Sequence, residues 1–320
     1  MCKKFIYFFF FMLVVVLAAP FVMASDMAFY TGFPNDGWYS NAQKDIDVAY
    51  IIAQTGHLFG DVQTFDDTQA TAAGAWVAAN INDGEMDIIW LPGTMPSVLY
   101  PLGNTSPDGS PAELWLDGGN MFINVADWFA YCSYEGGTRQ TPDNGAGGAE
   151  NILDLPGIIT SADGVSLTRT AAGATYMPGL PATLISDRQV TLAAVTAPWE
   201  VSEIFAGNGT VADPIVIHNT ATDAYMVFIN QADIADTLNR GALTSQFLLN
   251  WAADLIGDNP YPRGPTPANG AIGVPADANL SWTRGDGALE DEVYFGTDPC
   301  ALPKVATIQN LPPFPPTWNP

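Results

Sequence analysis

The sequence predicts an α/β protein: a doubly wound, mostly parallel sheet with a short partial β-sandwich tail. Three observations carry this reading. Apolar runs alternate with helical patterns up to residue 125, in the order β-α-β-α-β-α-β. The run "DIIWLPG" at 87–93 is apolar without alternation, as a strand buried on both faces requires. Beyond residue 258 the chain turns Pro-rich and then alternates with period two.

The elements follow in order. "DMAFYTGF" reads as the first strand and enters a Gly/Asn/Asp loop at 34–43. "KDIDVAYIIAQTGH" places Ile46, Ala49, Tyr50 and Ala53 at helical spacing, and Gly56 stops it. "DVQTFDD" is a short second strand. "TQATAAGAWVAANINDG" is alanine-rich and helical, ending at Asp83-Gly84. After the strand at 87–93, "SPAELWLDGG" makes a short helix with Ser110 as cap and Pro111 in its first turn. "NMFINV" is the fourth strand.

Past Gly136 the pattern loosens. "PDNGAGGAEN" reads as a loop, and "ILDLPGIIT" and "GVSLTRT" as short strand or turn pieces. "RQVTLAAVT", "DPIVIHNT" and "AYMVFINQA" are three further strands, the first two divided by a turn at Asn208-Gly209. "LTSQFLLNWAADLIGD" closes the domain as an amphipathic helix with Phe247, Leu248, Trp251 and Leu255 on one face. The implied organisation is a leader at 1–24, an α/β domain at 25–258, a stiff Pro-rich linker at 259–268 and an incomplete β segment at 269–320.

The leader reading rests on Lys3 and Lys4, an unbroken apolar run at 5–19, Pro20, and the small-residue pattern Val22-Met23-Ala24. It predicts a cleaved signal, a secreted or cell-surface protein, and no stable membrane insertion afterwards. The net charge of −24 argues against nucleic-acid phosphates and anionic membranes as partners. Cys132 and Cys300 beyond the leader are too few for a disulfide framework. His57 and His218, the only histidines, have no ligand spacing for zinc. No phosphate loop and no calcium loop is present, so neither a cofactor nor a metal is expected.

"DIIWLPG" (87–93), "LDGGNMFINVADW" (116–128) and the helix after "LNRGAL" resemble the class I glutamine amidotransferase-like family found in secreted bacterial proteins. That resemblance implies a flavodoxin-like fold across most of the chain. "LSWTRGDGA…DEVYFGTDP" resembles the start of an Ig-like or fibronectin type III-like module. Active members of the first family hold a Cys in a G-x-C-x-G elbow after the central strand, with a His-x-Glu pair later. Here the elbow falls at Ala126-Asp127-Trp128, and His218 is followed by Asn219-Thr220. Cys132, several residues on, reads as a small buried residue inside a helix and is disfavoured as a nucleophile.

What remains is a set of positions at strand ends. Asp127 and His218 are the weak catalytic candidates. Gly93, Thr94, Asp127, Trp128 and His218 are the ligand-binding candidates, since open α/β sheets take ligands at the carboxyl ends of their strands. Asp127 also suits a helix N-cap. Trp38, Tyr39, Trp128, Phe129 and Tyr131 form a candidate aromatic platform for a sugar ring, or plain core. The function expected is a non-catalytic binding or scaffold role with a glycan or another extracellular partner. The alternative is a hydrolase using Asp127 and His218, and their convergence or separation discriminates the two.

Overall fold

The computed structural model describes residues 25–35, 37–160, 162–230, 239–256, 263–266, 279–283, 290–294, 304–309 and 317–318. The leader therefore lies outside the described residues, as do most of the linker and parts of the tail.

The four early strands form where the apolar runs place them: β1 (Met27–Tyr30), β2 (Val62–Phe65), β3 (Ile88–Leu91) and β4 (Met121–Val125). Between them run α1 (Asn41–Thr55), α2 (Ala70–Asn80) and α3 (Pro111–Asp117). Ser110 caps α3 through its hydroxyl, which accepts from Glu113 N at 3.2 Å, with Pro111 in the first turn as expected. After β4 come the hairpin β5 (Tyr134–Glu135) and β6 (Thr138–Arg139), then α4 (Gly147–Ile152). This short helix begins inside the segment read as a loop.

The second half holds β7 (Val165–Arg169), α5 (Ala171–Tyr176), β8 (Thr183–Ser186), β9 (Val190–Thr191), β10 (Trp199–Ile204), β11 (Ala206–Gly207), β12 (Val211–Ala212), β13 (Ile215–Asn219) and β14 (Ala224–Ile229). Helix α6 (Arg240–Asn250) closes the domain.

The main sheet has the order β10-β13-β14-β4-β3-β1-β2. β2, β1, β3, β4 and β14 are mutually parallel, while β13 and β10 run antiparallel at one edge. The protein is thus α/β with a large, mostly parallel sheet. The parallel strands follow the order second-first-third-fourth-fifth, which puts a topological switch point between β1 and β3.

Side chains alternate strictly between the two faces of this sheet. Ala28, Tyr30, Ile89, Leu91, Phe122, Met226 and Phe228 pack with α2 and α3 residues such as Val77, Trp115 and Leu116. Met27, Phe29, Ile88, Trp90, Met121, Ile123, Val227 and Ile229 pack with Val48 and Ile51 of α1 and Leu243, Phe247 and Leu248 of α6. Both faces are apolar because both are covered, which explains the unalternating strand sequences.

Helix α1 corrects the reading of its pattern. Ile46 and Tyr50 point outward, 62% and 43% exposed, whereas Lys44, Asp47, Val48, Ile51 and Thr55 face the sheet. Two polar residues win the inner face because they satisfy backbone and side-chain groups there. Lys44 Nζ donates to the carbonyls of Thr31 and Gly32 at the exit of β1. Asp47 accepts from Tyr39 Oη at 2.5 Å and Gln43 Nε2 at 2.9 Å. Gly241 allows α6 to approach, since a Cβ there would lie 2.8 Å from Asp47 Cα.

A second, five-stranded sheet has the order β8-β7-β11-β12-β9. In the tail, β15 (Arg263–Thr266), β16 (Leu280–Thr283) and β19 (Thr317–Trp318) form one antiparallel ladder, and β17 (Glu290–Tyr294) pairs with β18 (Lys304–Gln309) in another. β15 falls inside the segment expected to be an extended linker. No helix among the described residues is long and apolar enough to cross a membrane.

Candidate functional site

Strand β4 leaves the sheet through a tight elbow. Ala126 adopts φ 73° and Ala130 φ 56°, both in the left-handed region that costs an L-residue about 1–2 kcal/mol. Asp127 N donates back to Val125 O at 2.9 Å, and Asn124 Nδ2 donates to Asp127 O at 2.7 Å. The turn is followed by an irregular segment and the β5–β6 hairpin. Cys132 is therefore not in a helix as expected: it forms an isolated parallel bridge with Thr94, and its carbonyl accepts from Met95 N at 3.1 Å. The thiol is buried, and burial pushes it up to about 12.

Asp127 sits just past the carboxyl end of β4 and is 2% exposed. Its Oδ2 accepts from Asn35 Nδ2 at 2.7 Å, and its Oδ1 accepts from Arg188 Nε at 3.0 Å and from Trp128 N at 2.7 Å. The helix cap expected of Asp127 does not form: its side chain takes the next N–H instead of one two or three residues on, and no helix follows. Three donors on one buried carboxylate make it a structural anchor, poorly placed to take a proton from a substrate.

The network continues on both sides. Asn35 Oδ1 accepts from Arg139 Nη1 at 2.7 Å, and Arg139 makes a two-pronged pair with Asp143 at 3.1 and 2.6 Å. Arg188 Nη1 donates to Asp163 Oδ1 at 3.0 Å and to Asp187 O at 2.6 Å. Behind it, Asn230 joins Asn124 Nδ2 at 2.7 Å to Arg188 O at 2.9 Å, and Asp213 accepts from Ser186 Oγ at 2.6 Å and Asn230 N at 2.9 Å. Loops after β1, β4, β8 and β14 are thereby tied into one polar cluster at the carboxyl edge.

The aromatic platform divides in two. Tyr39 and Phe129 are core. Trp38, Trp128 and Tyr131 are half-buried at the surface. Arg188 Cζ lies 3.5 Å from the Trp38 ring centre and 4.9 Å from that of Trp128, and Arg139 Cζ lies 5.4 Å from that of Tyr131. Trp128 and Tyr131 meet edge to face at 5.5 Å, and Trp128 Nε1 donates to Thr160 O at 3.3 Å.

Gly93 and Thr94 lie at the switch point, and both have structural work. Gly93 has φ 82°, and a Cβ there would sit 2.7 Å from Asp127 Cβ. Thr94 is fully buried and its hydroxyl donates to Phe33 O at 2.9 Å.

His218 is elsewhere, which corrects the pairing with Asp127. Because β13 runs antiparallel, His218 lies opposite Tyr225, which lies opposite Met121 and through it Ile88 and Met27, the first residues of the parallel strands. That is the amino edge, on the order of 15 Å from Asp127 along the strand direction. There His218 Nε2 meets Asp223 Oδ1 at 2.7 Å, and the ring stacks on Tyr225 at 4.5 Å. Among the candidates, then, Gly93, Thr94, Asp127 and Trp128 come together and His218 does not.

Asn35, Arg139 and Arg188 were missed. The available signal was scarcity: from 25 to 256 only Lys44, Arg139, Arg169, Arg188 and Arg240 are basic, in a strongly acidic chain.

No protein-family model matches the chain, and no curated protein matches it. Among solved structures it is similar to a ThuA-like protein from Bacteroides uniformis, with 12% identity, 72% of this chain and 94% of that chain covered, and a TM-score of 0.38. It is also similar to a cytoplasmic protein from Salmonella typhimurium, with 7% identity, 72% and 97% coverage, and a TM-score of 0.38. The expected secreted or surface location meets a contrary finding, since the Salmonella protein is a cytoplasmic one; the leader at 1–24 lies outside the described residues.

Proposed function

We propose that this chain is a non-catalytic binding protein on a degenerate amidotransferase-like fold, with a glycan seated at the carboxyl edge of the main sheet. The observation that carries the reading is the elbow. Ala126 holds its apex at φ 73°, so a methyl group stands where a nucleophile would be presented. The nearby thiol of Cys132 is buried, and Asp127 is occupied by three donors.

Around that elbow, Trp38, Trp128 and Tyr131 offer half-exposed aromatic edges and faces beside Arg139 and Asp143. Sugars fit such a surface, since their C–H faces pack on aromatic rings and their hydroxyls bond to charged and amide groups. The hydrolase alternative has no observation in its favour, with Asp127 and His218 at opposite edges.

Affinity electrophoresis through gels containing soluble polysaccharides tests the proposal, alongside an assay for released reducing ends. The expected result is retardation on at least one polysaccharide with no cleavage, and at least tenfold weaker retention for Trp128→Ala. Cleavage products, or free migration through a broad neutral and acidic panel, would overturn it.

A further inference from the structure

The guanidinium of Arg188 is held very differently on its two sides. Its inner nitrogen, Nε, bonds Asp127, whose side chain is 2% exposed and takes two further donors. Trp38 covers one face at 3.5 Å, and Trp128 flanks it at 4.9 Å. The backbone around it is fixed too: Arg188 N donates to Ser186 Oγ at 3.3 Å and Arg188 O accepts from Asn230 Nδ2 at 2.9 Å. The plane and direction of the group are therefore set by buried partners.

Its outer side is held by one exchangeable side chain. Nη1 bonds Asp163, which is 69% exposed, and the carbonyl of Asp187; among the described residues Nη2 has no acceptor. An ion pair with so exposed a partner contributes about 0–1 kcal/mol. A guanidinium offers its terminal nitrogens as a fork that matches a carboxylate in two-pronged fashion. An oriented, desolvated fork closed by one loose carboxylate is the arrangement expected where an outside carboxylate competes for the same seat. The indole of Trp128 lies beside that seat, where a ring carrying the carboxylate would pack.

We propose that Arg188 anchors an acidic sugar, a uronate, whose carboxylate takes the place of Asp163 on the terminal nitrogens while its ring packs against Trp128. The assignment rests on the glycan-binding reading above and names the class of sugar. No bond is made or broken; one carboxylate replaces another.

Titration calorimetry on the full chain tests this with two probes of equal length, an oligogalacturonate and a neutral gluco-oligosaccharide. The oligogalacturonate should bind at least tenfold more tightly than the neutral probe. Asp163→Asn, an exposed change that leaves the fold intact, should tighten uronate binding severalfold by removing the competitor and leave the neutral probe unchanged. Arg188→Lys should lose at least tenfold; should that variant not fold, Asp163→Asn alone decides. Uronate binding that is indifferent to Asp163→Asn overturns the anchor. Binding of the neutral probe alone overturns the anchor and leaves the glycan reading standing. Binding of neither overturns both.

Discussion

Gly93 and Asp127 touch through bare backbone: a Cβ on Gly93 would lie 2.7 Å from Asp127 Cβ and 3.2 Å from its Cα. The exit of β3 and the elbow after β4 are packed against each other with no room for a side chain, and Gly93 also holds φ 82°. Gly93→Ala should therefore destabilise the protein by at least about 2 kcal/mol, from left-handed strain together with a forced shift of the elbow. Denaturant unfolding measures it. A loss under about 0.5 kcal/mol would mean the two turns separate easily.

Asp127→Ala should be costlier than Asp163→Ala, although both remove a carboxylate from Arg188. The first strands a buried cation and an amide, for about 3–5 kcal/mol, and the second breaks an exposed pair worth about 1 kcal/mol or less. Asp127→Asn should fall between, because it keeps an acceptor. Equal costs for the two alanine variants in urea melts would contradict the division of Arg188 into a fixed and a loose side.

Asp87 predicts a pH dependence. Burial, followed by the nearby charges of Asp83 and Asp26, lifts its carboxyl to about 7, against the bond from Asp26 N at 2.6 Å that works the other way. The folded state thus holds the proton more tightly than the unfolded state, whose value is near 3.9. Stability from this group is full below about pH 4 and is lost as the pH rises through about 7, by at most about 4 kcal/mol. Asp87→Asn should be more stable than the native chain at about pH 8 and show no advantage at about pH 4. The reverse order at those two values would show that the carboxyl is ionised throughout.

Cys132 should resist alkylation. With its thiol pushed up to about 12 and 1% of its surface exposed, about one molecule in ten thousand carries a thiolate near pH 8. Iodoacetamide labelling should track unfolding, and Cys132→Ala should leave polysaccharide retention unchanged. Stoichiometric labelling of the folded protein within minutes would refute this.

The main sheet was legible because burial on both faces writes apolar runs without alternation, and Ile88–Leu91 and 121–123 are such runs. The cap at Ser110 was legible because its chemistry is local. Helix α1 was misread because periodicity ranks residues by polarity, while Lys44 and Asp47 are drawn inward by partners just past β1, on Tyr39 and on α6 that lie far off or are silent in the pattern. Strand β10 was missed since Glu200, Val201, Ser202 and Glu203 suit an edge with much of its surface in water. The direction of β13 was equally hidden: strand sequence does not record which way a neighbour runs, and that one reversal moved His218 to the wrong end of the sheet. Arg188 lies between two short strands of the smaller sheet, where no local motif marks it.

The small sheet that delivers Arg188 is built from chain on either side of β10, with β7, β8 and β9 before it and β11 and β12 after. It is tied into the frame: Leu167, Leu184 and Ala206 are buried with the α1 and α6 face of the main sheet, Val190 and Ala212 with the other face, and Arg188 reaches Asp127 at the elbow. A lineage of such proteins could change the exposed side chains around Arg188, Asp163 among them, without disturbing how the parallel core assembles. Recognition would then diverge among descendants while the core stayed the same, because what is recognised is written at the rim of these strands and what folds is written on their buried side.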